Sequence, residues 1–477
     1  MLSKRNFTDQ LYEEMPFSPT QGQKEAMGKL ADFIYNSTEN PLFILKGYAG
    51  TGKTTLVSAL VNTLHKNKIR TVLLAPTGRA AKVFSGYAGR KAYTIHKHIY
   101  RIKMKDGNLN FSRKENKYTD TLFIVDEVSM ISDTSSLSDL FSKRTLLEDL
   151  IQYVYEGSNC KLLFIGDEAQ LPPVHADDSP ALSGEYLKQN FHLDVDEYSL
   201  KEVVRQALDS GILFNANRLR NKITCGEYGF PWFAAPQFRD FAPVYGAELE
   251  ELLNTLYGKY ESDDIVIITR SNKRAYIFNQ EIRNRILYRE NKIAAGDYLM
   301  AVKNNYYWVD ETSEVGFIAN GDMLELLSIN KTEHLYGFHF ADVTVRLCDY
   351  PNHPCIDIKI ILDSLDSENA SLPANQTSAL YFEIAKDYES IANKRLRYLK
   401  IKNDPYLNAV QVKFGYSLTC HKTQGGQWRI VLIDQLFFKD QVMDKEMLRW
   451  LYTAATRATE QVYLINFPES AFENTHL

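Results

Sequence analysis

The chain has 477 residues, which leaves room for two to four domains with cores of their own. Its hydrophobic fraction of 44% and charged fraction of 24% are those of a globular protein, and no apolar run is long enough to predict a membrane span. The net charge of −5 excludes a uniformly basic nucleic-acid-binding protein, so any such surface must be a local groove. Five scattered cysteines without a C-x2-C pair, and a polar N-terminus, favour a cytoplasmic protein without disulfides or a zinc site.

An amphipathic helix is predicted shortly before the first apolar strand. Ser18 or Thr20 can cap this helix, with Pro19 in its first turn. Gln21 has two interpretations: it is a residue of the helix start, or its amide reads an adenine edge, since one amide both donates and accepts.

The segment Gly47–Thr54 fits the phosphate-binding pattern G-x4-G-K-[ST]. The apolar run Phe43–Leu45 precedes it and a helical pattern follows from Thr55, so the strand, loop and helix context is present. Glycines let backbone N–H groups face a polyphosphate at a helix N-terminus. Lys53 can reach the β- and γ-phosphates and Thr54 can hold magnesium, so the sequence predicts a nucleoside triphosphate site.

Two polar turns follow in the first half of the chain. The strand-like run Thr71–Ala75 ends at Pro76 and Thr77, at the sheet edge where ligands bind in parallel sheets. Thr77 either caps the next helix or contacts a phosphodiester. His96, in the turn after Thr94, has the same two interpretations.

A basic segment spans residues 97–117. Its centre, Lys105–Asn108, contains the Asp-Gly pair that favours a hairpin turn. The segment is either a solvated basic hairpin or a protruding element that touches a nucleic-acid backbone or splits a duplex.

Acidic residues end two further strand-like runs. Asp126 and Glu127 follow Leu122–Val125, where they can hold magnesium and orient or deprotonate an attacking water. Gln170 follows the second run and can sense the γ-phosphate or its water.

The second half of the chain resumes an α/β pattern. Ser271 and Asn272 follow a strand-like run, and residues 323–409 read as an inserted small β-domain with a basic helical arm. Taken alone, His421 is a hydrogen-bonded structural residue, but the segment Lys422–Gly426 beside it suggests backbone phosphate contacts. Taken alone, Arg205 and Arg457 are surface charges.

The order of these segments resembles the superfamily 1 helicases, in particular their RecD-like and Dda-like branch. The segments that carry the resemblance are Gln21, Gly47–Thr54, Ala75–Ala81, Thr94–His96, Val125–Met130, Gly166–Pro173, Val204–Gln206, Thr419–Gly425 and Tyr452–Ala458.

The resemblance implies an α/β fold of two RecA-like P-loop NTPase domains, with a small β-hairpin insert in the first and an SH3-like β insert with a helical arm in the second. The expected domains are 1–200 with a wedge hairpin at about 97–120, then 201–322 with 410–477, and the insert 323–409.

The resemblance also implies site residues. The expected catalytic residues are Lys53, Glu127, Gln170, Arg205 and Arg457. The expected ATP contacts are Gln21, Gly47, Ala49, Gly50, Thr51, Gly52, Lys53, Thr54, Thr55, Asp126, Gln170, Arg205, Gly425 and Arg457, with Mg²⁺ on Thr54 and Asp126. The expected DNA contacts are Pro76, Thr77, His96, Ser271, Asn272, Thr419, His421 and Lys422.

The function expected from this family is that of an ATP-dependent DNA helicase. Such a protein moves 5′→3′ on single-stranded DNA and opens duplex junctions, with possible replication or repair proteins as partners. No heptad seam is visible in the sequence, so a monomer is expected. Two alternatives remain at this stage: an RNA helicase of the same superfamily, and a nucleotide-gated switch that binds a partner protein.

Overall fold

The computed structural model describes residues 4–36, 38–105, 108–134, 144–174, 176–204, 209–229, 232–235, 237–310, 313, 315–350, 352–435 and 443–473. Within these ranges, none of the helices combines the length and the apolar composition needed to cross a bilayer.

The strands and helices alternate through most of the chain. The strands are β1 (Pro41–Gly47), β2 (Arg70–Ala75), β3 (Ala92–Thr94), β4 (Tyr100–Lys105), β5 (Asn108–Arg113), β6 (Thr121–Val125), β7 (Lys161–Gly166), β8 (Asp194–Leu200), β9 (Phe241–Val244), β10 (Ile265–Thr269), β11 (Tyr298–Ala301), β12 (Met323–Leu335), β13 (Phe338–Leu347), β14 (Ile356–Ile361), β15 (Val410–Phe414), β16 (Ser417–Thr419), β17 (Trp428–Asp434) and β18 (Ala458–Ile465).

The α-helices are α1 (Lys4–Glu13), α2 (Gln21–Tyr35), α3 (Lys53–Lys66), α4 (Gly78–Ala88), α5 (Ile95–Ile99), α6 (Leu146–Glu156), α7 (Gly184–Phe191), α8 (Gly211–Cys225), α9 (Gly246–Lys259), α10 (Asn272–Glu281), α11 (Asp363–Asp366), α12 (Ala374–Asp387), α13 (Lys394–Lys402), α14 (Cys420–Thr423) and α15 (Lys445–Ala455). Single 3₁₀ turns lie at Val128–Met130, Pro180–Leu182 and Glu469–Ala471, and a π-helical turn at Ile282–Ile286 continues α10.

The first sheet is parallel and has the strand order β3-β2-β6-β7-β1-β8. Its central strands β6 and β7 are buried along almost their whole length and are mostly apolar, because helices cover both faces. The buried side chains of α1 to α4 pack on one face and those of α5 to α7 on the other. The carboxyl ends of the strands therefore meet at one edge, where the predicted nucleotide loop lies.

A two-stranded hairpin, β4-β5, leaves this unit between α5 and β6. Its antiparallel register runs from Tyr100 opposite Arg113 to Lys105 opposite Asn108. The predicted Asp-Gly turn, residues 106–107, lies outside the described residues.

The second parallel sheet has the order β16-β10-β17-β18-β9, and a closed barrel of β11 to β15 is inserted between β10 and β16. Helices α12 and α13 pack against the barrel through Phe340, Leu380, Ile384 and Ile401. The predicted fold class is confirmed: two α/β units, a hairpin in the first, and a β-barrel with a helical arm in the second.

The barrel extends beyond the predicted insert 323–409. Its first strand, β11, and its last strand, β15, both lie outside that range and pair with each other. The division of the chain into domains at the predicted boundaries stays a prediction.

The barrel touches the first α/β unit through a buried carboxylate. Asp322 is 2% exposed, and one of its oxygens accepts a hydrogen bond from the Ala319 amide at 2.7 Å. The other has no hydrogen-bonding partner among the described residues, and a Cβ on Gly78 of α4 would lie 2.6 Å from it. Burial, and then the nearby Asp349, raises the pKa of Asp322 to about 8.

We expect Asp322→Asn to stabilise the protein increasingly as the pH rises. An unfolded Asp loses its proton near pH ~4, whereas the folded Asp322 keeps it to about pH 8, so wild-type stability falls between these values. The Tm advantage of the variant should therefore grow from pH 5 to pH 8, by about 1 kcal/mol or more in the free energy of unfolding. Thermal unfolding at several pH values measures this, with Asp357→Asn on the exposed side of the barrel as control. An advantage that is constant with pH would contradict the prediction.

Candidate nucleotide and nucleic-acid site

The phosphate loop joins β1 to α3 at the carboxyl edge of the first sheet. Gly50 and Gly52 have φ values of 75° and 72°, in the left-handed region that side chains disfavour. The Thr51 hydroxyl donates to the Tyr48 carbonyl at 2.8 Å and braces the turn. The Lys53 ammonium donates to the Gly47 carbonyl at 3.0 Å, so it lies across the loop. The side chain of Thr54, the second residue of α3, is exposed.

The amide beside this loop belongs to Gln23 and not to Gln21. The side chain of Gln21 is exposed and donates to Glu25 along α2 at 3.0 Å. Gln23 is 3% exposed and donates to the Thr51 carbonyl at 3.1 Å. The reason is the helix start: Thr20 is the N-cap, and its amide and hydroxyl form a capping box with Gln23 that turns this side chain back towards the loop.

Two acidic residues follow β6 and face the loop. The Asp126 carboxylate accepts hydrogen bonds from the Glu127 amide at 2.8 Å and from the Tyr87 hydroxyl at 2.6 Å. Burial, and then the neighbouring Glu127, raises the pKa of Asp126 to about 6, while Lys53 opposes this rise. Glu127 has a φ of 53°, a left-handed conformation that is uncommon for a side chain larger than glycine.

A second acidic turn follows β7. Asp167 is 2% exposed and accepts hydrogen bonds from the Ala169 amide at 2.9 Å and the Tyr452 hydroxyl at 2.6 Å. Gln170 is 6% exposed, and its side-chain oxygen has no hydrogen-bonding partner among the described residues. A buried amide oxygen without a hydrogen-bonding partner is an acceptor available to a ligand or a water at the site.

Helix α15 of the second α/β unit closes over the same loop. Tyr452 is 1% exposed and its hydroxyl accepts a hydrogen bond from the Ala49 amide at 2.7 Å. The Thr453 hydroxyl accepts from the Leu171 amide at 2.9 Å. These contacts join residues far apart in sequence, so the cleft contains groups from both units.

Arg457 lies at the end of this contact. It is 5% exposed, and its guanidinium donates to the carbonyls of Thr453 at 3.1 Å and Gly426 at 3.3 Å. One of its nitrogens lies 3.8 Å from a carboxylate oxygen of Glu127. The structure therefore brings a cation of the second unit to the acid of the first. The other predicted arginine, Arg205, lies outside the described residues.

Gly425 lies against the first unit. Its φ is 71°, and a Cβ on it would lie 2.6 Å from the Cβ of Ala80 in α4 and 3.5 Å from the Thr77 hydroxyl. This position therefore depends on glycine both for backbone conformation and for close approach.

The predicted DNA contacts of the first unit lie at its strand ends. Thr77 follows β2 and caps α4 by accepting a hydrogen bond from the Ala80 amide at 3.2 Å, and Pro76 precedes it. His96 lies in α5, with its ring centroid 5.8 Å from that of Tyr100.

The predicted DNA contacts of the second unit divide between a cavity and its surroundings. Asn272, Thr419 and Lys422 line one cavity of about 30 Å³. Ser271 caps α10, and His421 lies in α14 beside Lys422.

The same cavity contains a lysine that the sequence analysis did not predict. Lys413 of β15 lines it with Lys422, and its ammonium donates to the Ser367 carbonyl. Burial lowers the pKa of each lysine to about 8, and the Lys422 charge adds to the effect on Lys413. No carboxylate forms a salt bridge with either ammonium within the described part of the chain.

Besides Lys413, the sequence did not predict three contacts of the site: Gln23 with the phosphate loop, Tyr87 with Asp126, and Tyr452 with Ala49. The first had a local signal, because Thr20 and Gln23 have the spacing of a capping box. The other two contacts, and the position of Lys413 in the cavity, join residues that are distant in sequence, so no local pattern indicates them.

Two family models match the chain. The AAA domain model matches residues 19–223 and the UvrD-like helicase C-terminal domain model matches residues 414–465. The first match covers the phosphate loop and both acidic turns, and the second covers α14 and α15 with Arg457.

Similar proteins span nearly the full chain. The uncharacterized protein R530 of Acanthamoeba polyphaga mimivirus is 25% identical over 92% of this chain and 98% of its own length. The ATP-dependent DNA helicase dda of Enterobacteria phage T4 is 25% identical over 94% of this chain and 99% of its own length. The RecBCD enzyme subunit RecD of Buchnera aphidicola subsp. Acyrthosiphon pisum is 23% identical over 92% of this chain and 72% of its own length.

Among solved structures, the Pif1 helicase from Bacteroides in complex with ADP-AlF3 and ssDNA aligns over 96% of this chain and 95% of its own, with 16% identity and a TM-score of 0.46. The motif order, the cleft that both α/β units complete, the two family matches and the similarity to dda and RecD over more than nine-tenths of this chain agree. The chain belongs to the superfamily 1 helicases, in their RecD-like and Dda-like group.

Proposed function

We propose that this chain is an ATP-dependent DNA helicase that moves 5′→3′ along single-stranded DNA and opens duplex junctions. The observation that carries the proposal is the position of Arg457, a cation of the second α/β unit that reaches Glu127 beside the phosphate loop of the first. Hydrolysis at such a cleft changes the separation of the two units, and each unit carries candidate contacts to one strand. A monomer contains both halves of this cleft.

Each residue of the nucleotide site has a separate role in the proposed hydrolysis of ATP. Lys53 binds the β- and γ-phosphates, and the loop amides hold their oxygens. Glu127 orients or deprotonates the attacking water, and Gln170 accepts a hydrogen bond from it. Arg457 stabilises the charge that develops on the transferred phosphoryl group, with Arg205 as a second predicted cation. We assign the adenine contact to Gln23, because its amide lies at the loop and that of Gln21 does not.

Thr54 and Asp126 fit a magnesium ion. Both offer hard oxygen ligands, the Thr54 side chain is exposed, and the raised pKa of Asp126 is an electrostatic cost that a nearby cation relieves. When bound, the ion neutralises charge on the β- and γ-phosphate oxygens.

The proposed DNA track, meaning the residues that contact the bound strand, includes residues of both units. In the first unit, Thr77 and His96 lie at strand ends. In the second, the lysine pocket, defined here as Lys413 and Lys422 with Asn272 and Thr419, contains two ammonium groups in one cavity. Two half-buried lysines that line the same cavity favour an anion beside them, and a backbone phosphate is the anion that a strand supplies.

We expect steady-state ATPase activity to rise about tenfold or more with single-stranded DNA and Lys53→Ala to abolish it by removing the phosphate contact. Strand-displacement assays on substrates with a 5′ or a 3′ tail then test direction. Stimulation by RNA alone would instead identify an RNA helicase, and indifference to both nucleic acids a nucleotide-gated switch.

We expect Gly425→Ala to lower kcat/KM for ATP about tenfold or more, because its Cβ would separate the two units at Ala80. The left-handed φ adds about 1 kcal/mol of strain. Ala80→Gly in the same chain should recover part of the loss, since it removes the other clashing atom. Gly258→Ala in α9 is the matched control, because a Cβ there meets nothing within 4 Å. Unchanged kinetics in Gly425→Ala would contradict this role for the contact.

We expect Lys413→Gln to reduce the slope of log affinity for oligo-dT against log salt concentration by about 0.7, the effect of losing one phosphate contact on a single strand. Lys422→Gln should do the same. The control is Lys331→Gln, an exposed lysine of the barrel that pairs with Glu333. A slope equal to that of the wild type would show that the lysine pocket does not contact the DNA backbone.

A further inference from the structure

Helix α4 connects three sites of the proposed mechanism. Its first turn carries the candidate DNA contact Thr77 as the N-cap. Its second residue, Arg79, lies over the Trp428 ring of the second unit, 3.8 Å from the ring centroid. Its last turn carries Tyr87, whose hydroxyl donates to Asp126 at 2.6 Å.

The contact between Tyr87 and Asp126 is well defined. The Tyr87 ring stacks on Phe84, with centroids 5.1 Å apart and planes at 28°. Phe84 is 0% exposed, so the ring rests on the core beneath α4.

Asp126 is held from two directions. One oxygen accepts from the Glu127 amide, which follows it in the chain, and the other accepts from Tyr87 of α4. The first contact is local to the strand end. The orientation of the carboxylate therefore depends on where α4 lies.

We propose that Tyr87 is a positioning residue that links DNA binding at the N-terminus of α4 to the metal-binding carboxylate Asp126. The proposal rests on the function proposed above. Partners of a metal-ligating carboxylate commonly orient it and tune its affinity. Helix α4 has 11 residues and spans about 16 Å, so one short helix connects the N-cap Thr77 to Tyr87 in its last turn.

The link works in both directions. A strand bound at Thr77 and a second unit docked on Arg79 fix the position of α4. The hydrogen bond from Tyr87 then fixes the orientation of the Asp126 carboxylate. Because coupling between two binding sites is reciprocal, the factor by which DNA raises affinity for the magnesium nucleotide equals the factor by which the nucleotide raises affinity for DNA.

The test is Tyr87→Phe, which removes the hydroxyl and keeps the ring on Phe84. Fluorescence anisotropy with labelled oligo-dT gives the DNA affinity without nucleotide and with a magnesium-loaded non-hydrolysable ATP analogue. The ratio of the two is the coupling factor, and the affinity of the analogue with and without oligo-dT gives it independently.

We expect the DNA affinity without nucleotide to stay within about twofold of the wild type, because Thr77 and the lysine pocket are intact. The coupling factor should fall about fivefold or more towards one, and half-saturation with Mg²⁺ should require a higher concentration. The matched control is Tyr155→Phe, which loses a hydroxyl that donates to the Pro41 carbonyl at 2.9 Å, at the start of β1 and away from the phosphate loop. It should lose a similar amount of stability and keep the coupling factor.

A Tyr87→Phe protein with the wild-type coupling factor and Mg²⁺ requirement would overturn the inference and leave the proposed function intact. An equal fall in Tyr155→Phe would also overturn it, since the effect would then be general destabilisation. A wild-type protein whose ATPase activity ignores DNA would instead refute the proposed function.

Discussion

The nucleotide cleft depends on contacts that α15 makes across it. Tyr452 joins the Ala49 amide of the phosphate loop to the Asp167 carboxylate, and Arg457 approaches Glu127. A buried guanidinium needs acceptors for its donors, and here the carbonyls of Thr453 and Gly426 and the Thr456 hydroxyl, all from its own unit, accept from it. The arginine is thus held by one unit and presented to the other, so the site is complete only when the two units meet.

The fold and the phosphate loop could be predicted because their signals are local. The central strands of both parallel sheets, such as β6 and β10, are mostly apolar runs, and Gly47–Thr54 needs only eight consecutive residues to define it. The barrel limits could not be predicted in the same way. Tyr298–Ala301 is a four-residue apolar run whose partners, β12 and β15, lie far along the chain, so no local pattern distinguishes it from another strand of the sheet.

The site residues could also be predicted only where a local sequence pattern places them. The acids after β6 and β7 could be placed because a strand end fixes where a side chain emerges. In α2, the expected adenine contact is Gln21, but the amide beside the loop belongs to Gln23. Thr20 followed by Gln23 is the spacing of a capping box, which turns the side chain of Gln23 back towards the helix start. Lys413 alternates with buried neighbours in β15, and only the packing of the barrel against α10 and α14 places it in the cavity with Lys422.

Charge explains how a protein with a net charge of −5 holds a polyanion. The two lysines of the proposed track are half-buried: Lys413 and Lys422 line one cavity, and partial burial lowers the pKa of both. A half-buried ammonium attracts little at a distance but interacts strongly once a phosphate replaces its lost hydration. Long-range steering is therefore weak, and the grip on the strand is set by contact geometry.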